Sequence, residues 1–396
     1  MSNKSICPGY TCAGLSAGIK KNDLMDLGLI YSEVPAHAAG LFTRNKVKAA
    51  PVVVTQKRIA ARHKIQAILV NSGNANCCTG PQGLVDATQM GEAAAKELNI
   101  DPEAVLVAST GVIGEPLPIH KIHHALPHLA DRLSQDGWDD LAQAILTTDT
   151  APKLVSRTVS SETGPYTITG IAKGSGMIRP DMATMLCFVC TDAAVSQPNL
   201  QQALLKSTQR SFNRITVDGD TSTNDMVLLL ANGRSGATIE SQEDLSHFQH
   251  VLDDILLQLA RAIVKDGEGA TKLVEIHISG ADSDASATAI ADTIANSNLV
   301  KTALFGEDAN WGRIVAAAGR AGVPFETEQV DLAFDDIWMV KRGQGLGSVA
   351  ESAAAQVLKK EEFSIHLDLH LGTGCAVAIT CDLSYDYVKI NADYRS

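Results

Sequence analysis

The 396-residue sequence nowhere offers an uninterrupted apolar run of about 18 residues, the length a helix needs to cross a bilayer. Its start, "MSNKSICPGYTCAG", lacks the apolar core of a secretory signal, so a cytoplasmic protein without a membrane partner is expected. Clustered basic charge is also missing. With 33 Lys and Arg against 45 Asp and Glu, the formal charge is −12, which leaves no track for a phosphate backbone and argues against a nucleic-acid partner. Cysteine is sparse: eight residues, at 7, 12, 77, 78, 187, 190, 375 and 381, are too dispersed for a disulfide scaffold, and free thiols are expected. Cys187 and Cys190 in "MLCFVC" have no second pair at zinc-site spacing and read as buried strand residues. Neither G-x-x-x-x-G-K-[ST] nor G-x-G-x-x-G occurs, so a nucleotide-binding fold is poorly supported, and no internal repeat or low-complexity tract stands out.

What is present is a well-mixed 45% of hydrophobic residues, enough to bury the core of one large or two ordinary domains. Short Val/Ile/Leu-rich runs alternate with longer amphipathic segments, the pattern of an α/β protein. "LGLIYSEV", "PVVVTQ", "QAILVNSG", "AVLVAST", "MLCFVCT", "MVLLLAN" and "LVEIHISG" read as strands. A helix is predicted over 243–265, with Leu245, Phe248, Leu252, Ile255, Leu256, Leu259 and Ile263 on one face and Gly267 to end it. Further helices are expected at 86–98, 199–212, 310–319 and 347–360. "FSIHLDLHL" alternates strictly and reads as a half-exposed strand. The polar stretch 279–287 divides an expected main domain, 1–280, from a smaller C-terminal one, 281–396.

Several constellations could carry chemistry. His120, His123, His124 and His128 have spacings that can bind zinc on a helix face, but Pro127 interrupts the segment and no H-E-x-x-H frame follows; a solvated face is the favoured reading. Asp218, Asp220 and Asp225 in "ITVDGDTSTND" resemble a divalent-cation loop but depart from the EF-hand register, which favours a tight turn with Asx hydrogen bonds. "VNSGNANCCTG" and "ASTGVIG" each follow an apolar run, placing backbone N–H groups where they could surround an oxyanion. In "KGSGMIRPDMATMLCFVCTDA" a polar glycine-rich loop meets a strand at Ala183 and Thr184. Thr184 can be an ordinary strand-starting residue; it can also be a nucleophile, if cleavage before it frees an α-amine of pKa about 7.7–8.0 to serve as its base.

These segments together resemble one family, the ArgJ-type ornithine acetyltransferases, also called glutamate N-acetyltransferases. "GLSAGIKKNDLMDLGLI", "NSGNANCCTG", "ASTGVIGEPLP", "TTDTAPK", "KGSGMIRPDMATML", "FNRITVDGDTSTND", "KDGEGATK", "DANWGRI" and the terminal "NADYRS" fall in the family's order across nearly the whole chain. The resemblance implies a precursor that cuts itself between Ala183 and Thr184 into an α chain, 1–183, and a β chain, 184–396, usually assembled as an α2β2 heterotetramer. It implies Thr184 as nucleophile, Thr110 and Gly111 as the oxyanion hole, and Thr147, Lys173, Thr184, Glu268, Asn391 and Ser396 as substrate binders. Lys173 is suited to a substrate carboxylate and Glu268 to an ammonium. The family's usual C-terminal threonine is here Ser396, which retains the hydroxyl, and Cys77 stands where alanine is usual.

The implied fold is a layered αββα-type sandwich, similar in layering to N-terminal-nucleophile hydrolases but differently connected, with a smaller second α/β domain. The implied reaction is transfer of acetyl from N2-acetyl-L-ornithine to L-glutamate in arginine biosynthesis, through an acetyl-threonine ester and without a cofactor or metal. Some members also accept acetyl-CoA. An N-terminal-nucleophile aminopeptidase or amidase, a metal-dependent enzyme using Asp218, Asp220 and Asp225, and a non-catalytic binding protein are the alternatives.

Overall fold

The computed structural model describes residues 6–61, 64–179 and 185–393, so Ala183, Thr184 and Ser396 lie outside the described residues. The first sheet contains β1 (Tyr10–Leu15), β2 (Leu27–Phe42), β3 (Lys64–Asn74), β4 (Val105–Val112), β5 (Lys153–Ser161), β6 (Gly164–Lys173), β7 (Leu186–Thr191) and β10 (Met226–Ala231). Their order is β4-β3-β2-β10-β7-β6-β5, with β1 pairing on β2. The 16-residue β2 joins two halves: Leu27–Tyr31 pairs with β3, while His37–Phe42 pairs with β10. A register shift between Tyr31 and Ala36 takes up Pro35, which could not donate to a regular ladder.

Alternating side chains divide this sheet into layers. Ile68, Val70, Leu106, Phe188 and Leu228 share a central core, although they come from opposite halves of the sheet. Their neighbours Ala67, Leu69, Val105 and Val107 pack outward on α2 (Gly80–Leu98) and α3 (Ile119–Asp131). On the other outer face, Cys187, Val189, Val227 and Leu229 meet α5 (Gln197–Arg210) and α6 (Gln242–Lys265). The expected αββα layering is therefore present, with both sheet layers continuous through β2. The short strands β8 (Ala194–Val195) and β11 (Thr238–Ile239) pair beside it.

The second sheet, β15-β14-β13-β16-β12-β17-β9, is built from β9 (Ile215–Thr216), β12 (Leu273–Ala281), β13 (Asp331–Phe334), β14 (Ile337–Lys341), β15 (Gln344–Gly345), β16 (Glu362–Asp368) and β17 (Gly374–Cys381). α7 (Asp284–Ala295), α8 (Asn298–Phe305), α9 (Trp311–Gly319) and α10 (Ser348–Leu358) share its apolar core. β12 begins before the 280/281 division expected from the polar stretch and ends just across it, as an interior strand of this sheet. α11 (Tyr385–Asp393) leads the chain back toward the first sheet.

Two local readings are corrected. "PVVVTQ" lies in a helix, α1 (Ala50–Ala61): Val52, Thr55, Arg58 and Ile59 are buried at helical spacing, and this longer period overrides the β-propensity of three consecutive valines. α3 runs through Pro127, whose missing N–H faces exposed His123, where water can satisfy the freed carbonyl. The four histidines are exposed, while Ile122, Ala125, Leu126 and Leu129 form the buried stripe.

Candidate active site

Strand ends and helix termini converge around Lys173. β4 brings Thr110 and Gly111 to its C-terminal end, opposite a register shift at Gly73 and Asn74 of β3. Gly111 has φ +131°, and a Cβ there would lie 2.4 Å from the Gly73 carbonyl carbon, so only glycine fits. β6 ends at Lys173, a buried residue whose Nζ donates to Thr110 Oγ1 at 3.3 Å. Burial lowers its pKa; Asp149 at 4.0 Å is the strongest opposing influence, while Lys153 adds to the lowering.

The loop between α4 (Trp138–Ala144) and β5 is organised by Asp149. Its carboxylate accepts from Gly174 N at 2.6 Å, Thr147 N at 3.1 Å and Lys153 Nζ at 2.7 Å. Burial opposes that charge, but Lys173, Lys153 and the Gly174 N–H outweigh it and hold the pKa at about 2. Lys153 also donates to Asp266 at 2.6 Å, the residue that ends α6, and Asp266 accepts from Thr150 N and Thr150 Oγ1. On the opposite flank Lys20 donates to Leu146 O at 2.6 Å and Met25 O at 2.8 Å; burial brings its pKa down to about 8, with Asp26 opposing and Lys173 assisting.

The third wall comes from the chain after α6. Glu268 N donates to Ser175 O at 2.9 Å, and its carboxylate accepts from Asn391 Nδ2 of α11 at 2.7 Å. Gly176 makes room for it: a Cβ there would sit 2.5 Å from the Glu268 carboxylate. α11 is anchored by Ser384 Oγ donating to Gly269 O at 2.6 Å and by Tyr387 OH donating to Asp218 Oδ2 at 3.3 Å. Asp218 also accepts from Met177 N at 2.5 Å and Ile178 N at 2.9 Å. Asp225 accepts from Met185 N at 2.9 Å; burial pushes its pKa well up against that N–H and Lys173.

Thr110, Gly111, Thr147, Lys173, Glu268 and Asn391 are thus gathered from distant parts of the sequence around one strand end. Asp149, Lys153, Asp266 and Lys20 were not singled out by sequence reasoning, although "TTDTAPK" contains two of them. Their signal was a carboxylate two residues after Thr147 with a lysine four further on. Asp218 and Asp225 bind separate backbone segments, and among the described residues no group of three or more His, Cys, Asp or Glu is arranged to hold a metal. Cys187 and Cys190 belong to the outer and central cores on opposite faces of β7, so the C-x-x-C does not form a chelate. No helix among the described residues is long and apolar enough to cross a membrane.

An α/β sandwich carrying a buried lysine, carboxylates and a threonine–glycine strand end is the framework of a small-molecule enzyme. Residues 11–396 match the ArgJ family. The arginine biosynthesis bifunctional protein ArgJ of Syntrophotalea carbinolica is 52% identical over 390 residues, covering 98% of this chain and 99% of that protein. A crystal structure of the arginine biosynthesis bifunctional protein ArgJ from Bacillus halodurans is 44% identical, covers 51% of this chain and 96% of that one, and has a TM-score of 0.49. Ornithine acetyltransferase from Mycobacterium tuberculosis, solved in complex with ornithine, is 38% identical, covers 46% and 96%, and has a TM-score of 0.42. The chain belongs to the ArgJ family of arginine-biosynthesis enzymes.

Proposed function

We propose that the protein transfers an acetyl group from N2-acetyl-L-ornithine to L-glutamate by a ping-pong mechanism, after cutting itself between Ala183 and Thr184. In the mature enzyme the freed amine of Thr184 takes the proton from its own Oγ as that oxygen attacks the acetyl carbonyl. Thr110 and Gly111 hold the tetrahedral oxyanion, a contribution of about 10²–10³ in kcat for each well-aimed donor. The intermediate collapses with proton return to the leaving amine, so ornithine departs and acetyl-threonine remains. Glutamate's amine then attacks this ester, giving N-acetylglutamate and restoring the threonine. Every bond is made or broken by residues and substrates alone, with no cofactor or metal; acetyl-CoA is proposed as a second acetyl donor to the same threonine.

The observation that carries this reading is the juxtaposition of Lys173 and Thr110, 3.3 Å apart, with Glu268 on the facing wall. Both substrates carry an α-carboxylate for Lys173, and ornithine adds a side-chain ammonium for Glu268. Thr147 and Asn391 border these two charges, and Ser396 is proposed to complete the binding set. The assembly is proposed to be an α2β2 heterotetramer in the cytoplasm. Intact-mass measurement is expected to find two fragments meeting at Ala183/Thr184, and one uncut chain in Thr184→Ala. Release of ornithine from acetylornithine should depend on glutamate. Release that glutamate does not accelerate would instead identify an aminopeptidase or amidase, and loss of activity to a chelator would identify a metal enzyme.

A further inference from the structure

Lys173 is an expensive group to keep charged. Its side chain is 4% exposed, and the burial that lowers its pKa works against the ammonium a carboxylate-binding role requires. The charges facing it come from five segments: Lys20 in the β1–β2 loop, Asp149 after α4, Lys153 at the start of β5, Asp225 before β10, and Glu268 after α6; the neutral Thr110 hydroxyl on β4 completes its surroundings. Two of these neighbours, Lys20 and Lys153, are cations. Among the acids, Asp149 has the largest effect on Lys173, and its side chain is 0% exposed.

The hydrogen bonds of Asp149 are equally specific. One oxygen, Oδ1, accepts from Lys153 Nζ and Gly174 N, the residue following Lys173; the other, Oδ2, accepts from Thr147 N and faces Lys173. A single carboxylate therefore fixes the backbone on both sides of the proposed substrate-binding pair, Thr147 and Lys173. Through Lys153 it is tied to Asp266 at the end of α6, two residues before Glu268.

We infer that Asp149 is a positioning residue for recognition of the substrate α-carboxylate: it keeps the Lys173 ammonium charged and aimed, and sets Thr147 beside it. This rests on the proposed role of Lys173 and extends it to a residue that never touches substrate. At 4.0 Å a full negative charge governs a buried ammonium strongly even at an effective dielectric of about 20. Without it, Lys173 loses its proton at lower pH, so substrate binding should fail progressively as pH rises.

The test is Asp149→Asn, which keeps the shape and removes the charge, assayed for kcat and KM across pH. Two donors are compared: N2-acetyl-L-ornithine and its decarboxylated analogue, N-acetyl-1,4-diaminobutane. With acetylornithine, KM should begin to rise at a lower pH than in the wild type, by up to about tenfold per pH unit once Lys173 has lost its proton, with the loss in KM rather than kcat. With the analogue, kcat/KM should differ from the wild type by less than about threefold, because there is no carboxylate to lose. Equal losses for both donors, or a loss independent of pH, would overturn the inference and leave Asp149 a folding residue. Should Asp149→Asn strand Lys153 and fail to fold, the double variant Asp149→Asn/Lys153→Gln removes both charges. It should show a shift of KM in the same direction but smaller, because losing Lys153 also removes a cation that lowers the Lys173 pKa; Asp149 has the larger effect of the two, so a wild-type profile would equally overturn the inference. Lys173→Met separates the two levels. If it leaves KM for acetylornithine unchanged, the role proposed for Lys173 fails; if it raises KM while the Asp149 variants do not, only the positioning role fails.

Discussion

Gly176→Ala adds one methyl group at a position where the structure leaves no room for it. The new Cβ would lie 2.5 Å from the Glu268 carboxylate carbon and from both of its oxygens. The obstacle is the end of a flexible side chain, and Gly176 does not have the positive φ that would itself forbid alanine, so the backbone can stay in place. Glu268 must therefore rotate, breaking its 2.7 Å hydrogen bond from Asn391. Relief by rotation limits the cost to stability to about 1 kcal/mol, a Tm change of about 1 °C for a chain of 396 residues. If Glu268 receives the side-chain ammonium of ornithine, losing a charge-assisted hydrogen bond of about 1.5–3 kcal/mol lowers kcat/KM for acetylornithine about 10- to 150-fold. Deacetylation by glutamate, which has no side-chain ammonium, should slow much less. Single-turnover acetylation and deacetylation of the enzyme, measured separately, give the two rates. A well-folded variant with unchanged acetylation, or with equal losses in both steps, would refute the placement of Glu268.

Lys173→Met should lower kcat/KM for acetylornithine by about 100-fold while changing stability by less than about 1 kcal/mol, because Asp149 keeps Lys153 and two backbone donors; a large fall in Tm would show that Lys173 mainly supports the fold. Asp149 has a folded-state pKa of about 2, below its ordinary value of 3.8, so the unfolded chain binds more protons between these values and the stability it contributes is lost as pH falls through that window. Thermal melts should accordingly show the gap between wild type and Asp149→Asn narrowing from about pH 5 to pH 2, and a gap that widens would contradict the assignment. Gly111→Ala, which brings a Cβ against the Gly73 backbone at a φ reserved for glycine, should abolish activity through a shifted strand end; near-wild-type turnover would exclude Gly111 from the oxyanion site.

Much of the fold was legible because periodicity reports burial. α6 follows the predicted 243–265 helix to within a residue at its start, and β12 and β16 match their alternating sequences. The reading failed where a short window was ambiguous. Val52–Val54 looks like a strand until Arg58 and Ile59 are included, and Pro127 looks like a helix breaker until its missing donor is seen to face solvent. The hairpin β5–β6 was not read as strands, since Lys153–Ser161 has a mostly half-exposed pattern without strong apolar alternation. Around the site, motif order singled out Thr110, Lys173 and Glu268, which the fold brings together, but not the carboxylates that hold the lysines. Asp149 has a local signal in Lys153 four residues on, but its contact with Lys173 lies 24 positions away and that of Asp266 with Lys153 lies 113 positions away, which no local pattern encodes.

The topology would let the proposed cut between β6 and β7 leave the two halves of the site together. β6 and β7 are antiparallel neighbours, with Lys173 paired to Leu186 at the end nearest the proposed junction. β7 and β10 would belong to the second fragment, yet they sit between β6 and β2 of the first, held by antiparallel ladders on both sides. The central core likewise mixes Ile68 and Leu106 with Phe188 and Leu228. Separating the fragments would expose that core and unpair strands in the middle of the sheet, which amounts to unfolding both. The same interleaving places Lys173 and Thr110 on one fragment and Glu268 and Asn391 on the other, with Lys153 and Asp266 forming a buried ion pair across the divide. Cleavage at this position can free an α-amine while each fragment continues to act as the template that shapes the other's half of the site.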